Sequence, residues 1–159
     1  MTIYDGDAKT PLGTVKVGAN GIWSFTTGVL SDTVHSFTAT ATDLAGNKAP
    51  SPGVALYGNS GSNTLAGGKG NDLLTGNGAS DTFVFGPNFG KDIVTDFVAN
   101  GTNHDIIQID HSIFANYAAL LGHAAQVGQD VVIPADALNV ITLKNVAKAS
   151  LNAADFHFM

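Results

Sequence analysis

Asp72 and Asp81 stand nine residues apart, each closing a glycine-rich run and each followed two positions later by a large apolar side chain. Their units are Gly67-Gly-Lys-Gly-Asn-Asp-Leu-Leu-Thr75 and Gly76-Asn-Gly-Ala-Ser-Asp-Thr-Phe-Val84, and Gly58-Asn-Ser-Gly-Ser-Asn-Thr-Leu-Ala66 precedes them in register. The central unit fits G-G-x-G-x-D-x-U-x, with U large and apolar, at every specified position. Glycine lacks the Cβ that blocks positive φ, so such a turn can aim backbone carbonyls to one side while the sixth residue adds a carboxylate. Donors that are all oxygen suit a hard cation, and calcium takes about six to eight of them at about 2.3–2.6 Å. A surface loop rich in Gly and Asn accounts for one such unit by chance. Three in register argue for a metal-binding repeat.

The run resembles the repeats-in-toxin family of secreted bacterial proteins. That resemblance implies a parallel β-roll in which two nonapeptides make one coil and turns on the same side sandwich Ca2+. Carried over by position, Gly58, Ser60, Gly61 and Asn63 face Gly76, Gly78 and Asp81 around one ion. Gly67, Lys69, Gly70 and Asp72 face Gly90 and Asp92 around a second. Asn63 stands where the family has Asp, which removes a charge and is expected to weaken the first site. The fourth turn, Phe85 to Asp92, is irregular and contains Pro87. Asp96 and Asp105 are candidates to help hold a further calcium.

The large residue at position eight of each unit (Leu65, Leu74 and Phe83) implies a short inward-facing strand that positions each turn. Upstream, Leu12–Val17, Ile22–Thr26 and His35–Thr42 alternate as strands, with Asn20-Gly21 a hairpin turn. This stretch resembles the second half of bacterial immunoglobulin-like adhesin repeats, through Ile3-Tyr-Asp-Gly6, Gly21-Ile-Trp-Ser-Phe25 and Phe37-Thr-Ala-Thr-Ala-Thr-Asp-Leu-Ala-Gly-Asn47. A whole sandwich takes about 100 residues, so the chain is expected to begin inside a domain. Residues 2–48 are expected to form either a partial sheet on the roll or pairing with a second copy. Trp23 reads as core packing, and Asp43 as a turn residue, with calcium ligation at a domain junction as the alternative.

Ala49-Pro-Ser-Pro-Gly53 reads as a linker. Beyond the repeats, 92–97 and 105–110 alternate as strands, and 129–133 with 139–143 as a hairpin. Ser112–Leu121 reads as a helix capped by Ser112, with Ile113, Tyr117, Leu120 and Leu121 on one face. Gly90-Lys-Asp-Ile-Val-Thr-Asp-Phe97 through Ala154-Asp-Phe-His-Phe158 resembles the domain that closes the β-roll of secreted proteases, lipases, epimerases and adhesins. The resemblance implies an uncleaved signal for a type I secretion transporter at the C-terminus, and Asp155-Phe-His-Phe-Met159 fits its acidic-then-apolar ending. The expected fold is mainly β: a partial immunoglobulin-like sheet, then a short parallel β-roll capped by a β-sandwich-like domain with one helix. The expected divisions are 1–49, a linker at 50–57, the roll at 58–92 and the capping and secretion domain at 93–159.

Composition narrows the function. All 13 acidic residues are Asp, and Glu, Arg and Cys are absent. Asp favours turns over helix interiors, and a cysteine-free chain has neither disulfides nor thiolate metal sites. Seven Lys and a net charge of −6 leave no electrostatic footprint for nucleic acid. No apolar stretch approaches the roughly 20 residues of a membrane span, and residues 1–20 lack the pattern of a cleaved signal peptide. His35, His104, His111, His123 and His157 are scattered, and neither H-E-x-x-H nor G-x-S-x-G occurs. His104 beside Asp105 reads as a strand entry. No catalytic residues are expected. The implied role is a calcium-dependent folding and export module of a secreted or cell-surface adhesin-like protein, with a surface polysaccharide or protein as the adhesin's partner. The alternative is the non-catalytic end of an extracellular protease, lipase or polysaccharide-modifying enzyme.

Overall fold

In a computed structural model that describes residues 2–5, 11–16, 36–40 and 53–159, the last residues of each nonapeptide form a strand. Successive strands go alternately to two sheets. We label them β1 (Thr2–Asp5), β2 (Pro11–Thr14), β3 (Ser36–Thr40), β4 (Ala55–Tyr57), β5 (Thr64–Leu65), β6 (Leu73–Thr75), β7 (Thr82–Phe85), β8 (Lys91–Val94) and β9 (Ile106–Ile109). A helix, α1 (Tyr117–His123), then leads to β10 (Ala125–Val127), β11 (Asp130–Pro134), β12 (Val140–Leu143) and β13 (Phe156–Phe158). One sheet runs β13-β9-β7-β5-β3-β1-β2 and the other β10-β11-β12-β8-β6-β4. The coil strands pair in parallel, and antiparallel hairpins extend each sheet at one end.

Position eight explains this winding. Leu65 pairs with Phe83, Phe83 with Ile107 and Ile107 with Phe156 across the first sheet. Leu56, Leu74, Val94 and Leu143 do the same across the second. All eight are buried in a single apolar cluster shared by both sheets. Burying one such side chain contributes about 1.5–3 kcal/mol, so a two-residue strand such as β5 is held by its neighbours in the stack.

Several sequence expectations change. The end of the expected linker, Ala55–Tyr57, is a strand paired with β6, because Leu56 keeps the position-eight register despite the prolines before it. The expected division between Asp92 and Ile93 falls inside β8. The helix begins at Tyr117 with Asn116 as its cap, whose side chain accepts Ala119 N–H at 3.0 Å. Ser112 instead donates its own N–H to Asp110, and Phe114 drops into the core before the helix starts. Strand β10, which the sequence did not suggest, pairs with β11 around Gly128 at φ 61°. The upstream strands β1 to β3 continue the first sheet, β3 pairing in parallel with β5. The expected strand at 22–26, the Asn20-Gly21 turn, Trp23, His35, Asp43 and residues 49–52 of the linker lie outside the described residues.

Candidate metal centre

Stacking the coils places the sixth residue of each turn over the sixth residue of the next. Asp72 Oδ1 accepts Val54 N–H at 2.8 Å, and Asp92 Oδ1 accepts Asp72 N–H at 2.9 Å. On the other side of the roll, Asp81 Oδ1 accepts Asn63 N–H at 2.8 Å and Asp105 Oδ1 accepts Asp81 N–H at 2.9 Å. Each carboxylate thus spends one oxygen on the coil before it. All four are buried, and none has a lysine partner among the described residues, where the ion pair is Lys144–Asp130.

Burial without a cation is costly for a carboxylate. Burial pushes Asp72 and Asp81 up to about 6, the backbone hydrogen bonds opposing it and Asp105 and Asp96 adding repulsion at Asp81. Burial, with repulsion from Asp72, pushes Asp92 up to about 8 against its bond from Asp72 N–H. Asp105 is raised for the same reason. Val54, whose N–H donates to Asp72, and Ile141, which pairs with Asp92, put an apolar residue on either side of this pair.

The second oxygen decides whether a cation fits. Asp72 Oδ2 is buried with no hydrogen-bond partner, and it lies where a Cβ on Gly67 would stand. Such an orphan calls for a positive partner. Opposite it, Gly90 has φ 101° and a Cβ there would overlap Gly70 O, so only glycine lets the two turns approach. Gly70 N–H donates to Phe89 O at 3.0 Å and Lys91 N–H to Asn71 Oδ1 at 2.9 Å. The structure therefore brings Gly70, Asp72, Gly90 and Asp92 together across a spacing of 20 residues. The two residues beyond the regular interval are taken up in a turn at Pro87-Asn88, with Asn88 at φ 61°. Gly67 and Lys69 belong to the same turn; the Lys69 side chain is exposed. Among the described residues no three Asp or His side chains converge, so a cation here would draw mainly on backbone carbonyls. Calcium accepts such a set.

Gly58, Ser60, Gly61 and Asn63 likewise face Gly76, Gly78 and Asp81. Gly78 N–H donates to Asn59 O at 3.3 Å, and Asn77 Nδ2 to Gly58 O at 2.8 Å. Asp96 and Asp105 lie beside turn 76–81, near enough to repel Asp81, and both accept backbone N–H groups from it. Asp96 accepts Gly76 N–H at 3.0 Å and Asn77 N–H at 2.8 Å, while Asp105 Oδ2 takes Val98 N–H at 2.8 Å. Asp105 is the next sixth-position residue on its side, set apart by 24 residues from Asp81. Its signal was the Asp-Ile-Ile triplet, which repeats the Asp-Leu-Leu of Asp72.

Residues 57–87 match the family model described as RTX calcium-binding nonapeptide repeat (4 copies), and residues 1–56 match that of a bacterial Ig-like domain. No curated protein matches the chain. Among solved structures it is similar to the extracellular lipase LipA from Serratia marcescens, at 24% identity and a TM-score of 0.50. That likeness covers 68% of this chain and 20% of the lipase chain, and it concerns the fold. The chain carries RTX calcium-binding nonapeptide repeats, preceded by a bacterial Ig-like segment.

Proposed function

We propose that the chain is a calcium-dependent folding and export module of a secreted or cell-surface, adhesin-like bacterial protein. The observation that carries this reading is Asp72 Oδ2, buried and without a partner between stacked turns. Calcium, when bound, supplies the positive charge that the buried Asp72 and Asp92 lack. The chain does the rest: Gly67 and Gly90 admit close approach, Gly70 and its neighbours present carbonyls, and position eight anchors each turn to the core. Without the ion, buried carboxyls and a glycine-rich backbone oppose ordering.

Export follows from the same difference. Asp155 and Phe156 are buried, β13 pairs with β9, and Met159 N–H donates to Ile109 O at 3.1 Å. A transporter that reads Asp155-Phe-His-Phe-Met159 therefore needs the chain before it folds. Low calcium inside a cell lowers the stability that holds that segment in its sheet, and higher calcium outside restores it. The Ig-like segment favours an adhesin as the parent protein. The second reading, the non-catalytic end of an extracellular enzyme, is supported by the likeness to a lipase. The domains upstream in the parent gene separate the two. The test of the module is circular dichroism and urea unfolding of the full chain with calcium and with chelator. Stabilisation by calcium that Asp72→Ala abolishes is expected; indifference to chelator would refute the reading.

A further inference from the structure

The two turn pairs are chemically unlike. In turn 67–72 the inner oxygen, Asp72 Oδ2, has no partner. In turn 58–63 the equivalent oxygen is Asn63 Oδ1, which lies where a Cβ on Gly58 would stand. It accepts Asn59 N–H at 2.6 Å. Asn59 replaces the second glycine of the repeat, and its Oδ1 accepts Gly61 N–H at 2.7 Å and Asn63 Nδ2 at 3.3 Å. A backbone N–H on each amide oxygen fixes which way both side chains face. The turn is closed by its own amides.

The surrounding groups point the same way. Gly78 N–H donates to Asn59 O much as Gly70 N–H donates to Phe89 O in the other pair, but here a side-chain amide, Asn77 Nδ2, also takes up the Gly58 carbonyl. Asn59 Nδ2 is buried without an acceptor. An orphaned donor seeks an oxygen, and its hydrogens repel a cation.

We propose that turn 58–63 is an amide-locked turn that keeps its shape without a cation, with Asn59 and Asn63 excluding calcium from the gap between 58–63 and 76–81. Among the described residues calcium is then taken between 67–72 and 86–92 alone. This rests on the calcium reading above. The locked turn precedes β5, the strand through which the upstream sheet joins the roll. It gives the roll a first coil already set at the low calcium where the second pair is unfilled.

The test is a calcium titration of the full chain followed by amide NMR, with calorimetry for stoichiometry, on the wild type and on Asn59→Gly/Asn63→Asp. The wild type is expected to bind one equivalent, shifting the amides of Gly68 to Asp72 and of Gly90 to Asp92 while those of Asn59, Gly61 and Asn63 stay in place. The double variant should gain a second equivalent. Two equivalents in the wild type, with Asn59 and Gly61 shifting at saturation, would overturn the proposal and leave the calcium reading standing. A folded double variant that stays at one equivalent would also count against it. No shift at any turn would remove the calcium reading, and the proposal with it. The wild-type spectrum decides the matter even where the variant does not fold.

Discussion

At the scale of single residues, the proposed calcium site rests on Asp72 and Asp92, and charge can be separated from hydrogen bonding there. Asp72→Asn keeps an acceptor for Val54 N–H but removes the buried charge. We expect the metal-free protein to be stabilised by this change and its calcium affinity to fall at least tenfold, about 1.4 kcal/mol. Asp72→Ala should lose the affinity too, and leaving Val54 N–H unmet should cost the metal-free protein about 1–3 kcal/mol. Urea unfolding of both variants in chelator checks the opposite signs. The raised carboxyls also give a pH dependence. Burial lifts Asp72 to about 6 and Asp92 to about 8, above their unfolded values, so the folded metal-free chain holds protons that the unfolded chain has released. Their contribution is full below about pH 4 and is lost as pH rises through 6 and 8. Metal-free protein should therefore be more stable at pH 5 than at pH 8. Calcium binding near pH 7 should release protons, seen as a calorimetric enthalpy that varies with the ionisation enthalpy of the buffer. An enthalpy independent of buffer would contradict the protonated Asp92.

At the scale of elements, the turn pair 67–72 and 86–92 depends on how closely two backbones approach. Gly90→Ala drives a Cβ into Gly70 O in a left-handed conformation. It should cost about 1–3 kcal/mol from the backbone alone and more from the clash, with weaker calcium binding. Gly86→Ala meets nothing within 4 Å and should be nearly neutral, which makes it the control in the same thermal melts. Asn116→Ala, removing the cap of α1, should cost about 1 kcal/mol and leave calcium affinity unchanged. These elements were unevenly legible in the sequence. Leu65, Leu74 and Phe83 gave the strands of the roll because each nonapeptide carries its glycines, position six and position eight together. β4 was hidden because two prolines dominate its neighbourhood, although Leu56 keeps the period. Asp105 dropped out of the ladder because it stands 24 residues from Asp81, where Asn63 and Asp81 are 18 apart. The helix start moved from Ser112 to Asn116 because Asp110 captures Ser112 N–H, a competition that spacing alone does not reveal. The amide lock of Asn59 and Asn63 was half legible: the lost charge was visible, the closed turn was not.

At the scale of the whole molecule, sheet continuity matters more than the division into repeats and cap. The first sheet passes without a break from β2 to β13, and the second from β4 to β10, with β8 carrying both the Asp92 turn and the partner of β12. Residues on both sides of the expected boundary share one core, Leu74 meeting Val94 and Val94 meeting Leu143. A loosened turn at 86–92 therefore frees the edge on which β12 rests, and β11 and β10 with it. We expect residues 53–159 to unfold in one transition whose midpoint moves with calcium. With one site at a tenfold excess over its dissociation constant, the gain is about 1.4 kcal/mol. For a unit of roughly 100 residues that corresponds to roughly 5–10 °C in Tm between chelator and calcium. Differential scanning calorimetry of the full chain, with hydrogen exchange read separately at Leu74, Ile107 and Leu143, provides the measurement. Exchange at all three should slow together as calcium is added. Protection of Leu143 that ignores calcium while Leu74 responds would mean that the C-terminal strands form an independent unit and that the continuous sheets do not couple them to the metal.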